Sequence, residues 1–100
     1  MKIITQHFGI VEVKPKKIFE HNNIKYAIAT SPYKYINSRD ITHIQRCFHF
    51  ETGCSIPVNC SRNQSIKSFI DEAKRTLDII YNKLGAEKFN NELNSKEKLN

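Results

Sequence analysis

Between residues 66 and 84 the apolar side chains recur with the period of an α-helix. They are Ile66, Phe69, Ile70, Ala73, Leu77, Ile80, Tyr81 and Leu84, separated by steps of 3, 1, 3, 4, 3, 1 and 3. With about 3.6 residues per turn, this spacing places all of them on one face of a long helix. Because such a face must be buried against another layer, the rest of the chain has to supply an apolar surface that covers it.

The residues around this segment predict where the helix begins and ends. Residues 61–64 (Ser-Arg-Asn-Gln) have the spacing of a capping box just before it, and Asn63 is the alternative N-cap. Gly85 stands where a C-terminal residue of positive φ is expected. Phe89 and Leu93 are four residues apart, which predicts a short second helix that folds back on the first.

The first sixty residues instead alternate apolar and polar side chains, as β-strands do. The predicted strands are residues 2–13, with a slip of phase at Gly9, residues 18–20 and 24–29, joined at His21-Asn22-Asn23, and the two arms of a hairpin over residues 43–58. Pro57 lacks an N–H and restricts the second arm of that hairpin to a short edge strand. Residues 31–40 are expected to form a loop, either irregular throughout or with one helical turn.

Strands therefore precede helices, which indicates the α+β class. We expect a small antiparallel sheet of 4–5 strands with one long C-terminal amphipathic helix packed on one face. The length of 100 residues suits one domain, which we place at residues 1–94, with a frayed tail over 95–100. Phe48 and Phe50 share one face of their strand, and we expect both rings to face the helix as part of the core.

The charge of the chain is concentrated in its strand-rich half, residues 1–62. The formal net charge is +6, and this half holds nine Lys or Arg against four Asp or Glu. Residues 63–100 hold seven against six, so the helical part is nearly neutral. The question of partners therefore concerns the strands and their loops.

Cations interleaved with aromatic rings suit a phosphate backbone with stacked bases. The candidate binding residues of this kind are Lys14, Lys16, Lys17, Lys25, Tyr33, Lys34, Tyr35, Arg39 and Arg46, and Arg62 follows them along the chain. The alternative is that these lysines only solvate the surface, because the excess of Ile, Asn and Lys is typical of an AT-rich genome. That bias also suggests a bacterium of this type, or a phage or mobile element living in one.

Residues 46–50 (Arg-Cys-Phe-His-Phe) have the basic and aromatic spacing of one strand of the RNA-recognition motif. Cys47 and His49 replace the two glycines of that motif, however, and the helix it needs between its first two strands is missing. We therefore assign the chain to no family.

A metal site would have to be built from His43, Cys47, His49, Cys54 and Cys60. Their spacing lacks the C-x2-C knuckle that most structural zinc sites use, so we expect free thiols and no metal or other cofactor. An odd number of cysteines also argues against a disulfide framework. The acidic residues are scattered and no nucleophile has an oriented base beside it in the sequence, so we expect no enzymatic activity.

These observations predict a small basic binding protein that contacts nucleic acid through its strand-rich half. The alternative is a protein-binding regulator or inhibitor without catalytic activity. It would use the same positive surface to bind an acidic partner, for example a host enzyme that handles nucleic acid. No stretch approaches the ~20 apolar residues of a membrane span, and the polar start of the chain predicts a cytoplasmic location. A homodimer would form through the sheet edge near Pro57.

Overall fold

A computed structural model of the chain describes residues 1–59 and 64–100. Its strands are β1 (Lys2–Thr5), β2 (Gly9–Glu12), β3 (Lys17–His21), β4 (Ile24–Tyr33), β5 (Thr42–His49) and β6 (Ser55–Ile56), and its helices are α1 (Ile66–Leu84) and α2 (Ala86–Asn94). The predicted α+β class is confirmed. The strands divide between two antiparallel sheets, one of four strands in the order β3-β4-β5-β6 and one of two strands, β1-β2.

The first strands differ from the prediction in their connection. Residues 2–13 form a hairpin, not one strand with a slip of phase, because Gly9 adopts a φ of 66° directly after the turn. In that hairpin Ile3 pairs with Val11 and Ile4 with Ile10. The β3–β4 turn is built by Asn22 and Asn23, both at positive φ, as their place in the sequence predicts.

One face of the four-stranded sheet packs against the helices. From β4 and β5 the buried residues of this face include Tyr26, Ile28 and Cys47. They meet the predicted stripe of α1, whose buried members are Phe69, Ala73 and Leu77. Phe89 of α2 is buried in the same cluster, so the short second helix is also confirmed.

The other face of the sheet is covered by the β1–β2 hairpin. Ile3, Ala29 and Phe48 form a second buried cluster there, and Val11 packs against it. The prediction that Phe48 faces the helix is therefore wrong. Phe50 lies beyond the end of β5, where the Lys25 Nζ is 4.5 Å from the centre of its ring. Both faces of β5 carry apolar residues because the sheet is the middle of three layers.

The ends of the helical part are fixed by hydrogen bonds. The N-cap of α1 is Ser65, whose hydroxyl accepts from the Ser68 N–H at 3.1 Å, whereas residues 61–63 of the predicted capping box lie outside the described residues. Gly85, at a φ of 81°, is the single residue between α1 and α2.

Residues 95–100, for which a frayed tail is predicted, make ordered contacts at their end. The N–H groups of Leu99 and Asn100 both donate to the Glu51 carbonyl, at 2.7 and 3.0 Å. The Asn100 side chain bridges β1 and the β5–β6 loop, because its Nδ2 donates to the carbonyls of Lys2 (2.8 Å) and Phe50 (2.6 Å).

Candidate functional site

The β1–β2 hairpin is held in place by the loop between β5 and β6. The Ile4 N–H donates to the Gly53 carbonyl at 2.9 Å. Gly53 has a φ of +70°, and a Cβ built on it would lie 2.4 Å from the Lys2 carbonyl oxygen. The two backbones therefore touch, which only glycine allows at this position.

A buried polar pair shapes the same loop. The Nδ1 of His49 lies 2.8 Å from the Thr52 hydroxyl, and both residues are buried. The Thr52 hydroxyl accepts from the Cys54 N–H at 3.3 Å, so its proton is free to point at His49. Burial lowers the pKa of His49; Glu51 opposes this effect, and Lys96 and Lys98 add to it. The neutral imidazole is therefore the form that fits the fold.

Aromatic and basic side chains gather where the hairpin tip meets the end of β4. The centre of the Tyr33 ring lies 5.3 Å from that of His7 and 4.9 Å from that of Tyr35, and both contacts are edge-on. The Arg46 guanidinium carbon is 5.5 Å from the Tyr33 centre. Lys34 lines the adjoining surface depression together with His7 and Tyr35. We call these five residues (His7, Tyr33, Lys34, Tyr35 and Arg46) the aromatic–basic patch.

A cleft of about 150 Å³ opens beside the patch, between the hairpin and the sheet. Its walls are formed by Ile4, Thr5, Gln6, Ser31, Pro32, Tyr33, Arg46, Phe48 and Ser55. Tyr33 and Arg46 belong to both the cleft and the patch. Arg46 is half-buried and forms neither a hydrogen bond nor an ion pair with any other part of the chain that the structure describes.

The structure brings only some of the predicted binding residues together. Tyr33, Lys34, Tyr35 and Arg46 meet in the patch, and Arg39 is exposed in the loop that follows β4. Lys14, Lys16 and Lys17 lie elsewhere, around the β2–β3 connection, and the Lys16 Nζ donates to the Gln45 Oε1 at 3.1 Å. Lys25 lies at the opposite end of β4, and Arg62 is outside the described residues. The basic residues therefore do not form one continuous surface.

Two features of this region escape the sequence analysis. His7 reaches the patch only because residues 6–8 are a turn, and the polar Thr5-Gln6-His7 run before Gly9 is the signal that could have indicated it. The second feature is the apolar exposure of the β4–β5 loop, where the exposed fraction is 89% for Ile36 and 53% for Ile41.

The predicted cysteine and histidine residues are distributed over different environments. The thiol of Cys47 is buried under α1, and burial raises its pKa to about 12. Cys54 is half-buried, and both cysteines are free. Within residues 1–59 and 64–100, no group of three or more His, Cys, Asp or Glu side chains is arranged to hold a metal ion. Cys60 lies outside the described residues.

Comparisons of the chain with protein families, with curated proteins and with solved structures found no match. Among the described residues, neither helix combines the length and apolar character needed to cross a bilayer. The geometry of the patch and its cleft is therefore the basis on which a function can be argued.

Proposed function

We propose that the protein binds single-stranded nucleic acid at the aromatic–basic patch. The observation that carries the proposal is the set of contacts around Tyr33. Two further rings and one guanidinium, those of His7, Tyr35 and Arg46, all lie against the Tyr33 ring. Rings and cations in contact are what stacked bases and their phosphates require of a protein surface.

The exposure of the patch supports this function. Tyr35 has 53% of its surface exposed although its ring is held edge-on by Tyr33, so a base can stack on it without a conformational change. Lys34 is exposed beside it, and Arg39 follows in the same loop, so two cations can reach phosphates on either side of a stacked base. Backbone and stacking contacts of this kind tolerate many sequences.

The test is fluorescence anisotropy with a labelled single strand of about twelve nucleotides, a length within the usual range of binding sites. We expect micromolar affinity at low salt, a steep loss of affinity as salt is raised, and about tenfold weaker binding by Tyr35→Ala. Tyr81→Ala is unsuitable as a control because Tyr81 packs against the core. His43→Ala, an exposed ring on the opposite face of the sheet, is the matched control and should bind normally. Absence of binding at micromolar protein and low salt would overturn the proposal.

A second function, binding of an acidic protein segment by a regulator or inhibitor, is supported by the β4–β5 loop. Ile36 exposes apolar surface there between the cations Lys34 and Arg39, and Ile41 exposes more just after Arg39. An amphipathic segment with acidic and apolar side chains would satisfy both. Here the expected result is a stoichiometric complex that survives nuclease treatment and is lost in Ile36→Asp. A complex that Ile36→Asp leaves intact would exclude this loop as the docking site.

A further inference from the structure

We infer that the cleft between the hairpin and the sheet accepts one pyrimidine base of a bound strand. This inference rests on the proposed function and adds one position of the bound strand at which the identity of the base affects the affinity. The aromatic–basic patch and the cleft are adjacent, because Tyr33 and Arg46 belong to both. A strand that lies on the patch therefore passes the mouth of the cleft.

The size of the cleft selects one six-membered ring. Its volume of about 150 Å³ equals that of an engineered protein cavity known to hold benzene. A pyrimidine has a ring of this size, whereas the fused rings of a purine need more space. Phe48 at the base of the cleft is buried and fixed in the core beneath the hairpin, so the cleft cannot deepen without unpacking that layer.

The chemistry of the walls agrees with a pyrimidine. Arg46 brings donors that have no acceptor among the described residues, and a half-buried guanidinium is stabilised by acceptors. Pyrimidines carry such acceptors, O2 in every case and O4 in thymine and uracil. Ser31 and Ser55 add hydroxyls, while Pro32 and Phe48 supply apolar walls for the faces of the ring. Few polar groups among apolar walls are typical of small-ligand sites.

Ser55 offers a way to close the cleft from its edge. It is exposed on β6 and pairs with Phe48, so a larger side chain there enters the cleft without replacing a core residue. Ser55→Phe is the filling variant, and Ser55→Met is a smaller one for use if the first lowers the melting temperature. His43→Phe introduces the same ring on the opposite face of the sheet and serves as the control.

The experiment compares the affinity of each variant for oligothymidylate and oligoadenylate strands of equal length. We expect the wild type to bind oligothymidylate about tenfold more tightly than oligoadenylate, because the binding free energy of one stacked base corresponds to a ratio of this size. Filling the cleft should remove this preference by weakening oligothymidylate alone, and His43→Phe should retain it. Any preference that comes from the strands themselves is common to all variants. Only a change in the ratio of the two affinities caused by Ser55→Phe therefore supports base binding in the cleft.

A second measurement separates this inference from the proposed function. Thymidine 5′-monophosphate is titrated into the protein while the chemical shifts of the backbone amides are recorded. In the wild type the amides of Ser31 and Ser55 should shift. In Ser55→Phe, where residue 55 itself is changed and is not compared, the Ser31 amide should not shift. If both strands bind equally well and the nucleotide leaves these amides unmoved, the cleft inference is overturned while the patch remains a binding site. If neither strand binds at all, the proposed function fails and the cleft inference falls with it.

Discussion

Arg46 and Tyr33 lie four register positions apart on neighbouring strands, yet the Arg46 guanidinium carbon is 5.5 Å from the centre of the Tyr33 ring. Arg46 pairs with Ala29, and Tyr33 pairs with Thr42. At roughly 3.3 Å per residue the two positions are about 13 Å apart along the sheet, which is more than an extended arginine side chain can span alone. Both side chains therefore lean towards each other along the sheet, and the Arg46 charge is displaced towards the end where the hairpin turn and the β4–β5 loop meet.

This arrangement predicts a specific effect of Arg46→Ala on nucleic-acid binding. We expect about tenfold weaker binding, as for the loss of one side chain that contacts a base. Lys25→Ala removes the same charge at the opposite end of β4, where the ammonium lies over Phe50 instead. Anisotropy titrations at several salt concentrations should show the larger loss for Arg46→Ala. Equal losses would mean that net charge alone, not the patch, determines binding.

Gly53 and Gly9 offer a matched pair for the docking of the hairpin. Both have positive φ, but a Cβ at Gly53 would lie 2.4 Å from the Lys2 carbonyl oxygen, whereas a Cβ at Gly9 would have no described atom beyond its chain neighbours within 4 Å. Gly9→Ala should therefore cost only the backbone term, about 1–2 kcal/mol. We expect Gly53→Ala to lower the free energy of unfolding by about 3–4 kcal/mol, since it also separates β1 from the loop. Urea unfolding measures both, and similar losses would contradict the close approach.

The helices and strands of this fold could be predicted where they depend on a local pattern of apolar residues. How they stack into layers could not be predicted. The stripe of α1 and the alternation of Ile24, Tyr26 and Ile28 depend on helix and strand periods alone, and the structure confirms both. On β5, however, Cys47 and Phe48 point to opposite faces and both are buried, so alternation cannot say which of them meets the helix. That choice depends on the hairpin as a third layer, and its contact with Gly53 joins parts of the chain far apart in sequence.

The same limit applies to the candidate site. Tyr33, Lys34 and Tyr35 are adjacent in sequence, so their grouping could be recognised from composition. His7 joins them through tertiary structure only, and Lys25, equally basic, is carried to the other end of β4 by the length of that strand. Charge along the sequence therefore indicates the strand-rich half of the chain, but it cannot show which of the basic residues there lie together.

The buried His49 predicts that acid destabilises the protein. Because burial lowers its pKa in the folded state, the unfolded chain binds more protons once the pH falls below about 7, the range in which an exposed histidine titrates. The free energy of unfolding should therefore decrease as the pH drops through this range, until the folded-state pKa is reached. Urea unfolding between about pH 7.5 and pH 5 checks this.

The variant for this pH experiment is His49→Asn, because an amide can still reach the Thr52 hydroxyl without titrating in this range. Its stability should depend less on pH than that of the wild type. His43→Asn removes an exposed histidine from the same strand and should leave the wild-type pH dependence in place. Parallel pH profiles for wild type and His49→Asn would show that other groups cause the acid sensitivity.

The two described cysteines should differ strongly in reactivity. Burial raises the pKa of the Cys47 thiol to about 12, so at about pH 8 almost none of it is thiolate, and the core beneath α1 blocks access as well. Cys54 is half-buried in the β5–β6 loop and should react with iodoacetamide first. In a Cys60→Ser background, mass spectrometry should find one modified cysteine in the native protein and two after unfolding in urea. Modification of Cys47 at the rate of Cys54 under native conditions would contradict the protection of this thiol by the packing of α1.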